Sequence, residues 1–232
     1  MPVYRATRAL MRLAAATACP TSVEGVEHLP RTGPVLLAGN HLAACDTFFL
    51  MAAVPRQLVF FGKREYFTAP GLRGRALAAY CTRLGFQPVD RRGGPAAARR
   101  FVATGSALLA AGAALAIYPE GTRSPDGRLH RGRPGTASIA LTSGAPLVPF
   151  GITGTDRVQP VGTTLLRPHR VHIRFGHPVD HTALRGRAPR PDGAPATATL
   201  RELTTLLMRR IAELSEQPYV DTLATPPLSV PG

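Results

Sequence analysis

Short apolar runs, bounded by glycine, proline and polar residues, alternate along this chain with longer stretches of helical period, and that alternation restricts it to an α/β fold. The strand candidates are Ser22–Glu24, Val35–Ala38, Leu58–Phe61, Phe86–Val89, Ala114–Tyr118, Leu147–Gly151 and Arg170–Phe175. Helical spacing covers roughly 46–54, 71–83, 95–111, 134–143 and 198–215. Pro70-Gly71 precedes the second of these, and Pro134 stands where a first helical turn tolerates proline. In the last, Leu200, Leu203, Leu207, Ile211 and Leu214 recur on one face. The expected architecture is a single α/β domain over 20–216, with a mixed, largely parallel central sheet of about seven strands flanked by helices. An amphipathic helix over 1–19 precedes it. With 232 residues, 44% of them hydrophobic, the chain can bury one large core, and two independent domains are not expected. Residues 182–198, rich in Pro, Ala and Arg, read as an exposed connector, and 217–232 as a loose, proline-bearing tail.

Residues 102–118 carry no charge and have the length of a membrane span. Gly105, Ser106 and Gly112 interrupt them, alanine predominates, and they run into Pro119-Glu120-Gly121-Thr122-Arg123. A buried helix followed by a short buried strand accounts for the same residues. Met1 to Ala18 place Arg5, Arg8 and Arg12 on one helical face and Val3, Ala6, Leu10, Leu13 and Ala14 on another. Such a helix fits a membrane interface, and it fits equally a helix packed on the domain with its arginines in water. Arg12 divides the apolar stretch, which argues against a secretory signal. Three cysteines at irregular spacing (Cys19, Cys45, Cys81) form neither a disulfide framework nor a zinc pattern, so no metal site and a reducing compartment are expected.

The formal charge is +14 and the pI about 11.3, values that favour anionic partners. Arginine supplies nearly all of it, since Lys63 is the sole lysine, and the Ala/Gly/Pro/Arg bias is what GC-rich coding produces. Aromatic residues make up only 6% and no nucleic-acid recognition module is visible, so nucleic acid is not an expected partner.

Two short segments carry chemistry. In Asn40-His41-Leu42-Ala43-Ala44-Cys45-Asp46, a histidine and an aspartate five residues apart leave a hydrophobic strand. On a continuous helix that separation rotates by about 140°, so the two side chains meet only if a turn lies between them. With His41 in the loop and Asp46 opening the next helix, the carboxylate can orient one imidazole nitrogen while the other faces a hydroxyl to be deprotonated. Asp46 as a plain N-cap, and Cys45 as a nucleophile, are the alternatives. In Ile117-Tyr118-Pro119-Glu120-Gly121-Thr122-Arg123-Ser124, a strand delivers donors to the sheet's edge. Arg123 can hold two phosphate oxygens, Thr122 adds a hydroxyl, Gly121 permits close backbone approach, and Glu120 can pair with a substrate hydroxyl or hold the arginine. A salt-bridged turn is the alternative, supported by Ser124-Pro125-Asp126-Gly127. Lys63, just past the strand ending at Phe61, would emerge at the same edge.

In order, Asn40-His41-(four residues)-Asp46, Gly62-Lys63-Arg64-Glu65, Tyr118 to Ser124 and Val148-Pro149 resemble the four sequence blocks of the glycerophospholipid acyltransferase family, closest to bacterial 1-acylglycerol-3-phosphate acyltransferases. The resemblance covers roughly residues 20 to 180. It implies transfer of an acyl group from acyl-CoA or acyl-carrier protein to the free hydroxyl of a lysophosphatidate, giving phosphatidate. By the same resemblance His41 is the general base and Asp46 its orienter. Glu120, Gly121, Thr122 and Arg123, helped by Lys63, bind the glycerol phosphate, and Pro149 belongs to an acyl-binding or structural block. Neither a cofactor nor a covalent enzyme intermediate is implied. The expected setting is cytoplasmic, peripheral on the inner face of the cell membrane, with an anionic membrane surface as partner. Another lysophospholipid or a specialised alcohol as acceptor is the alternative within this chemistry. A non-catalytic, basic lipid- or nucleic-acid-binding protein is the alternative outside it.

Overall fold

The computed structural model describes residues 2–90, 93–190 and 192–225. In chain order, helix α1 (Pro2–Ala16) precedes β1 (Thr21–Glu24), a single 3-10 turn (Val26–His28) and β2 (Val35–Gly39). There follow α2 (Asp46–Ala53), β3 (Leu58–Lys63), α3 (Glu65–Thr68), α4 (Gly71–Arg83), β4 (Phe86–Val89), α5 (Gly94–Ala110) and β5 (Ala114–Ile117). The last part holds β6 (Leu129–His130), α6 (Gly135–Ser143), β7 (Leu147–Thr153), α7 (Thr155–Val158), β8 (Val171–Phe175), α8 (Thr182–Arg185), α9 (Thr197–Ser215) and β9 (Tyr219–Val220). All seven expected strands join one sheet in the order β1-β8-β7-β2-β5-β3-β4. Every neighbouring pair is parallel except β7 with β8, so β1 and β8 run against the other five.

The centre of the sheet is covered on both sides, which is why β2 and β5 read as unbroken apolar runs. Alternate residues feed two cores. Val35, Leu37, Ala114, Ala116 and Phe150 pack beneath α1 and α2, while Leu36, Ala38, Leu115, Ile117 and Leu147 meet α5, α6 and α9. Residues 102–118 accordingly divide into the end of α5, a turn and β5, as their interrupted pattern predicts. Pro149 lies buried in β7, opposite Ala38 of β2. On its other side the antiparallel ladder passes from Phe150↔Phe175 to Leu147↔Val179, one residue longer on the second strand. Proline fits at this bulge because only its carbonyl is used there, accepting the Gly176 N–H at 2.9 Å.

Two expectations change. The segment read as a loose tail over 217–232 is bound to the domain as far as Val220, which pairs with His130, and Thr222, whose carbonyl accepts the Arg131 N–H. Residues 226–232 lie outside the described residues. The prolines that suggested a tail only prevent helix; the carbonyl of Pro218 still accepts the Leu129 N–H at 3.0 Å. Within the expected connector 182–198, one helical turn forms as α8 and buries Leu184.

Candidate active site

His41 emerges where β2 ends. Asn40, fully buried, extends the pairing of β2 with β7 by means of its side chain: Oδ1 accepts the Ile152 N–H at 2.8 Å and Nδ2 donates to the Ile152 carbonyl at 2.8 Å. That anchor fixes the exit of the strand. Gly39, just before it, must lack a side chain, because a Cβ there would sit 2.3 Å from the Phe150 ring. Phe150 in turn meets Tyr118 edge-on, and Tyr118 stacks flat on the His41 imidazole with centroids 3.9 Å apart and planes 9° apart. The His41 imidazole therefore has one ring face covered.

The turn required between His41 and Asp46 is present. Asp46 opens α2 and reaches back, its Oδ2 accepting the Leu42 N–H at 2.7 Å and the Ala43 N–H at 2.9 Å. The same oxygen lies 2.8 Å from His41 Nδ1. An oxygen that accepts from two amides has no proton to give, so Nδ1 is the donor and Nε2 keeps its lone pair. Nε2 makes no hydrogen bond among the described residues. His41 is about one-eighth exposed (13%) while Asp46 is sealed (0%), so the imidazole's free edge is the reachable part of the pair. The Cys45 thiol is buried and pushed up to about 12, first by burial and then by the Asp46 charge. It stays protonated at neutral pH, which removes it as a nucleophile.

The second loop leaves the adjacent strand, β5. Counting three residues past the pair Ala38↔Ile117 reaches His41 on one strand and Glu120 on the other, so the two loops start level. Gly121 donates to the Tyr118 carbonyl at 2.9 Å and adopts φ 74°, a left-handed turn suited to glycine. After it the amides of Thr122 and Arg123 make no hydrogen bond among the described residues, and neither do their half-exposed side chains. Consecutive unpaired N–H groups following a left-handed residue can form a concavity suited to an anion. The Ser124 N–H then donates to the His41 carbonyl at 2.7 Å, which ties the two loops into one site.

Glu120 is turned the other way. It is 1% exposed, its Oε2 accepts the His130 N–H at 3.0 Å, and no ion pair joins it to Arg123. Burial raises its pKa to about 7, against the pull of the His130 and His41 amides. Here the carboxyl braces the loop from within. Lys63 ends β3 at the same sheet edge, but β5 lies between β3 and β2, which places it two strand spacings, about 10 Å, from the base strand.

Several supporting residues carry no sequence signal of their own. Thr47 contacts the Tyr118 hydroxyl at 3.2 Å, and Asp126 accepts from His130 Nε2 at 2.9 Å and from the Arg128 amide at 3.1 Å. Gln217, far along the chain, accepts from Asn40 Nδ2 and donates to the Gly127 carbonyl, each at 2.7 Å. Gln217 stands 177 residues from Asn40, a separation no local pattern reveals.

Comparison with known proteins gives the family and the fold. A 1-acyl-sn-glycerol-3-phosphate acyltransferase of Limnanthes alba is 30% identical over 161 residues, covering 69% of this chain and 55% of that protein. The 1-acyl-sn-glycerol-3-phosphate acyltransferase alpha of Mus musculus is 27% identical over 192 residues, covering 82% and 64%. The chain thus spans 55% and 64% of the length of these two curated relatives. In fold it is similar to the 1-acyl-sn-glycerophosphate acyltransferase PlsC of Thermotoga maritima, with a TM-score of 0.65 at 24% identity over 91% of this chain and 79% of that one. The family model described as Acyltransferase matches residues 20–153, more than half of the sequence and the whole of both site loops, and this chain belongs to that family.

Proposed function

We propose that this chain transfers an acyl group from a thioester, acyl-CoA or acyl-carrier protein, to the free hydroxyl of 1-acylglycerol-3-phosphate, giving phosphatidate. The observation that carries the reading is the unpaired Nε2 of His41 in one site with the unpaired amides of Thr122 and Arg123. Arg123, Thr122 and the Gly121 turn hold the phosphate, with Lys63 adding positive charge from the neighbouring strand end. Nε2 then takes the proton of the glycerol hydroxyl as its oxygen attacks the thioester carbonyl. Asp46 Oδ2 stabilises the imidazolium. Collapse of the tetrahedral intermediate expels the thiolate, and the imidazolium returns the proton to it. A thioester is already activated, so the scheme requires no cofactor. Relatives named for this acceptor support its identity.

The test is a panel of acceptors with acyl-CoA, following thiol release, run on the wild type and on Arg123→Ala. Lysophosphatidate is expected to turn over fastest. Loss of a charge-assisted phosphate contact should raise the apparent KM of Arg123→Ala for it by roughly 10–100-fold while changing kcat less. Fastest turnover on an acceptor without phosphate would overturn the assignment.

The same reading places the chain on an anionic membrane surface, at the cytoplasmic face. Helix α1 has three faces rather than two: Tyr4 and Met11 pack on the domain, while Leu10 (65%) and Leu13 (61%) stand in solvent. Leu77 and Tyr80 of α4 are also exposed, and Thr7 of α1 contacts the Tyr80 hydroxyl at 3.1 Å, so the apolar flank continues onto α4. On the opposite flank Arg5, Arg8, Arg12 and Arg56 line a cavity of about 410 Å³ without a carboxylate. An apolar flank beside an arginine flank favours lying in the interface. No described helix is long and apolar enough to cross a membrane. Flotation with phosphatidylglycerol vesicles should retain the wild type and lose Leu10→Asp/Leu13→Asp, and equal flotation of both would refute the α1 contact.

A further inference from the structure

We propose that the segment after α9 is a strap that holds the anion loop against the base loop, and that Gln217 is its positioning residue for the acceptor. This rests on the acyl-transfer reading above and deepens it. Helix α9 is capped by Glu216, the one described non-glycine residue with a left-handed backbone, at φ 56°. Such a conformation persists only where its surroundings impose it. Here Arg174 of β8 grips the Glu216 carboxylate at 2.5 Å, and the chain is turned back across the carboxyl ends of the strands.

Gln217 then bridges two loops that are remote in sequence. Its Oε1 accepts from Nδ2 of buried Asn40, the residue before the base, and its Nε2 donates to the carbonyl of Gly127 in the turn that follows the anion loop. Strand β9 continues the hold: Tyr219 and Val220 pair with Leu129 and His130, and the His130 amide is the one that holds Glu120. A path of hydrogen bonds thus runs from Asn40 through Gln217 to Gly127, and from β9 through His130 to Glu120. The direct stitch between the loops, Ser124 N–H to the His41 carbonyl, lies inside the ring this path closes. Removing Gln217 frees the 124–128 turn from Asn40 while leaving His41, Asp46, Thr122 and Arg123 chemically intact. The consequence falls on where the phosphate donors stand relative to the base.

The experiment compares wild type with Gln217→Ala and Gln217→Glu. Glutamate keeps the size and the acceptor for Asn40 but places an oxygen against the Gly127 carbonyl, so it tests the second limb even if the alanine variant folds poorly. Both variants should raise the KM for lysophosphatidate by roughly 2–10-fold, the net worth of one hydrogen bond, with the KM for acyl-CoA and the pH profile of kcat unchanged. Calorimetric titration with glycerol 3-phosphate should show a matching loss of affinity. A residue that served folding alone would lower the melting temperature and leave the acceptor KM in place, and that result overturns the strap. Equal rises in the acceptor and donor KM values would overturn it too. Wild type that transfers acyl groups to no acceptor would instead refute the underlying acyl-transfer reading.

Discussion

His41→Ala should lower kcat for acyl transfer by about 10²–10⁴-fold, the usual contribution of a positioned general base. The acceptor KM should change little, because the amides of Thr122 and Arg123 and the Arg123 guanidinium are untouched. The geometry fixes why the loss is large. Asp46 is sealed and its Oδ2 is already engaged by two backbone amides and Nδ1, so it cannot swing out to replace the imidazole. Cys45 is buried with its thiol pushed up to about 12, and it cannot serve as base or nucleophile in its place. Tyr118 lies on the ring but its hydroxyl contacts Thr47, and burial holds its pKa well above the ordinary value. None of these three neighbours can take over the proton. The variant should stay folded, since the loop retains the Asp46 bonds to Leu42 and Ala43 and the Ser124 bond to the His41 carbonyl, none of which uses the imidazole. Single-turnover thiol release and a thermal melt measure the two quantities separately. Near-wild-type turnover in a folded variant would remove His41 from the chemistry.

Much of this arrangement is legible in the sequence. The central strands β2, β5 and β7 show as apolar runs because they are buried along their length, and β4, with no buried residue, still matches its expected span Phe86–Val89. The five-residue gap between His41 and Asp46 is incompatible with one helical face, which forced the turn that the structure contains. What was not legible is what depends on long-range pairing of short polar segments. Strands β6 and β9 have two residues each, and residues 129–130 meet 219–220 across nearly the whole second half of the chain. Neither segment repeats often enough to show a period. Helices α3, α7 and α8 are single turns with the same problem. Helix α1 was legible as amphipathic, but hydrophobicity alone could not say that Leu10 and Leu13 would be left in solvent while Tyr4 was buried, because that depends on where Arg56 and Leu58 lie: the Tyr4 hydroxyl donates to the Arg56 carbonyl and accepts the Leu58 N–H. Glu120 shows the same limit within the site. Its residue type suggests a ligand contact, and only the position of the His130 amide reveals that it faces inward.

That inward carboxyl gives the second large effect, a stability that falls as pH rises. Burial holds Glu120 at about 7 rather than the ordinary 4.5, so between those values the folded chain binds a proton that the unfolded chain has released. Stability is therefore greatest below about pH 4.5 as far as this group is concerned, declines through the interval and levels off above about pH 7. The full difference is about 3 kcal/mol at 1.36 kcal/mol per pKa unit. Glu120→Gln removes the titration but keeps an oxygen for the His130 amide and nearly the same volume. It should match the wild type near pH 4.5 and exceed it by about 3 kcal/mol at pH 8, where the wild type must bury a carboxylate. Groups common to both proteins cancel in the difference. Asp126, held low by its bonds to His130 and Arg128 against the effect of burial, contributes with the opposite sign and below the interval in question. Melts of the two proteins from pH 4.5 to 8 decide the matter, and a gap that does not widen with pH would show that Glu120 is not strained by its charge. Kinetics of the same variant address its role. If the carboxyl only braces the loop, the glutamine protein keeps its acceptor KM at pH 8 while melting higher. If the carboxylate touches the substrate, the added stability comes with weakened binding, as when a site's strain is released at the cost of its function.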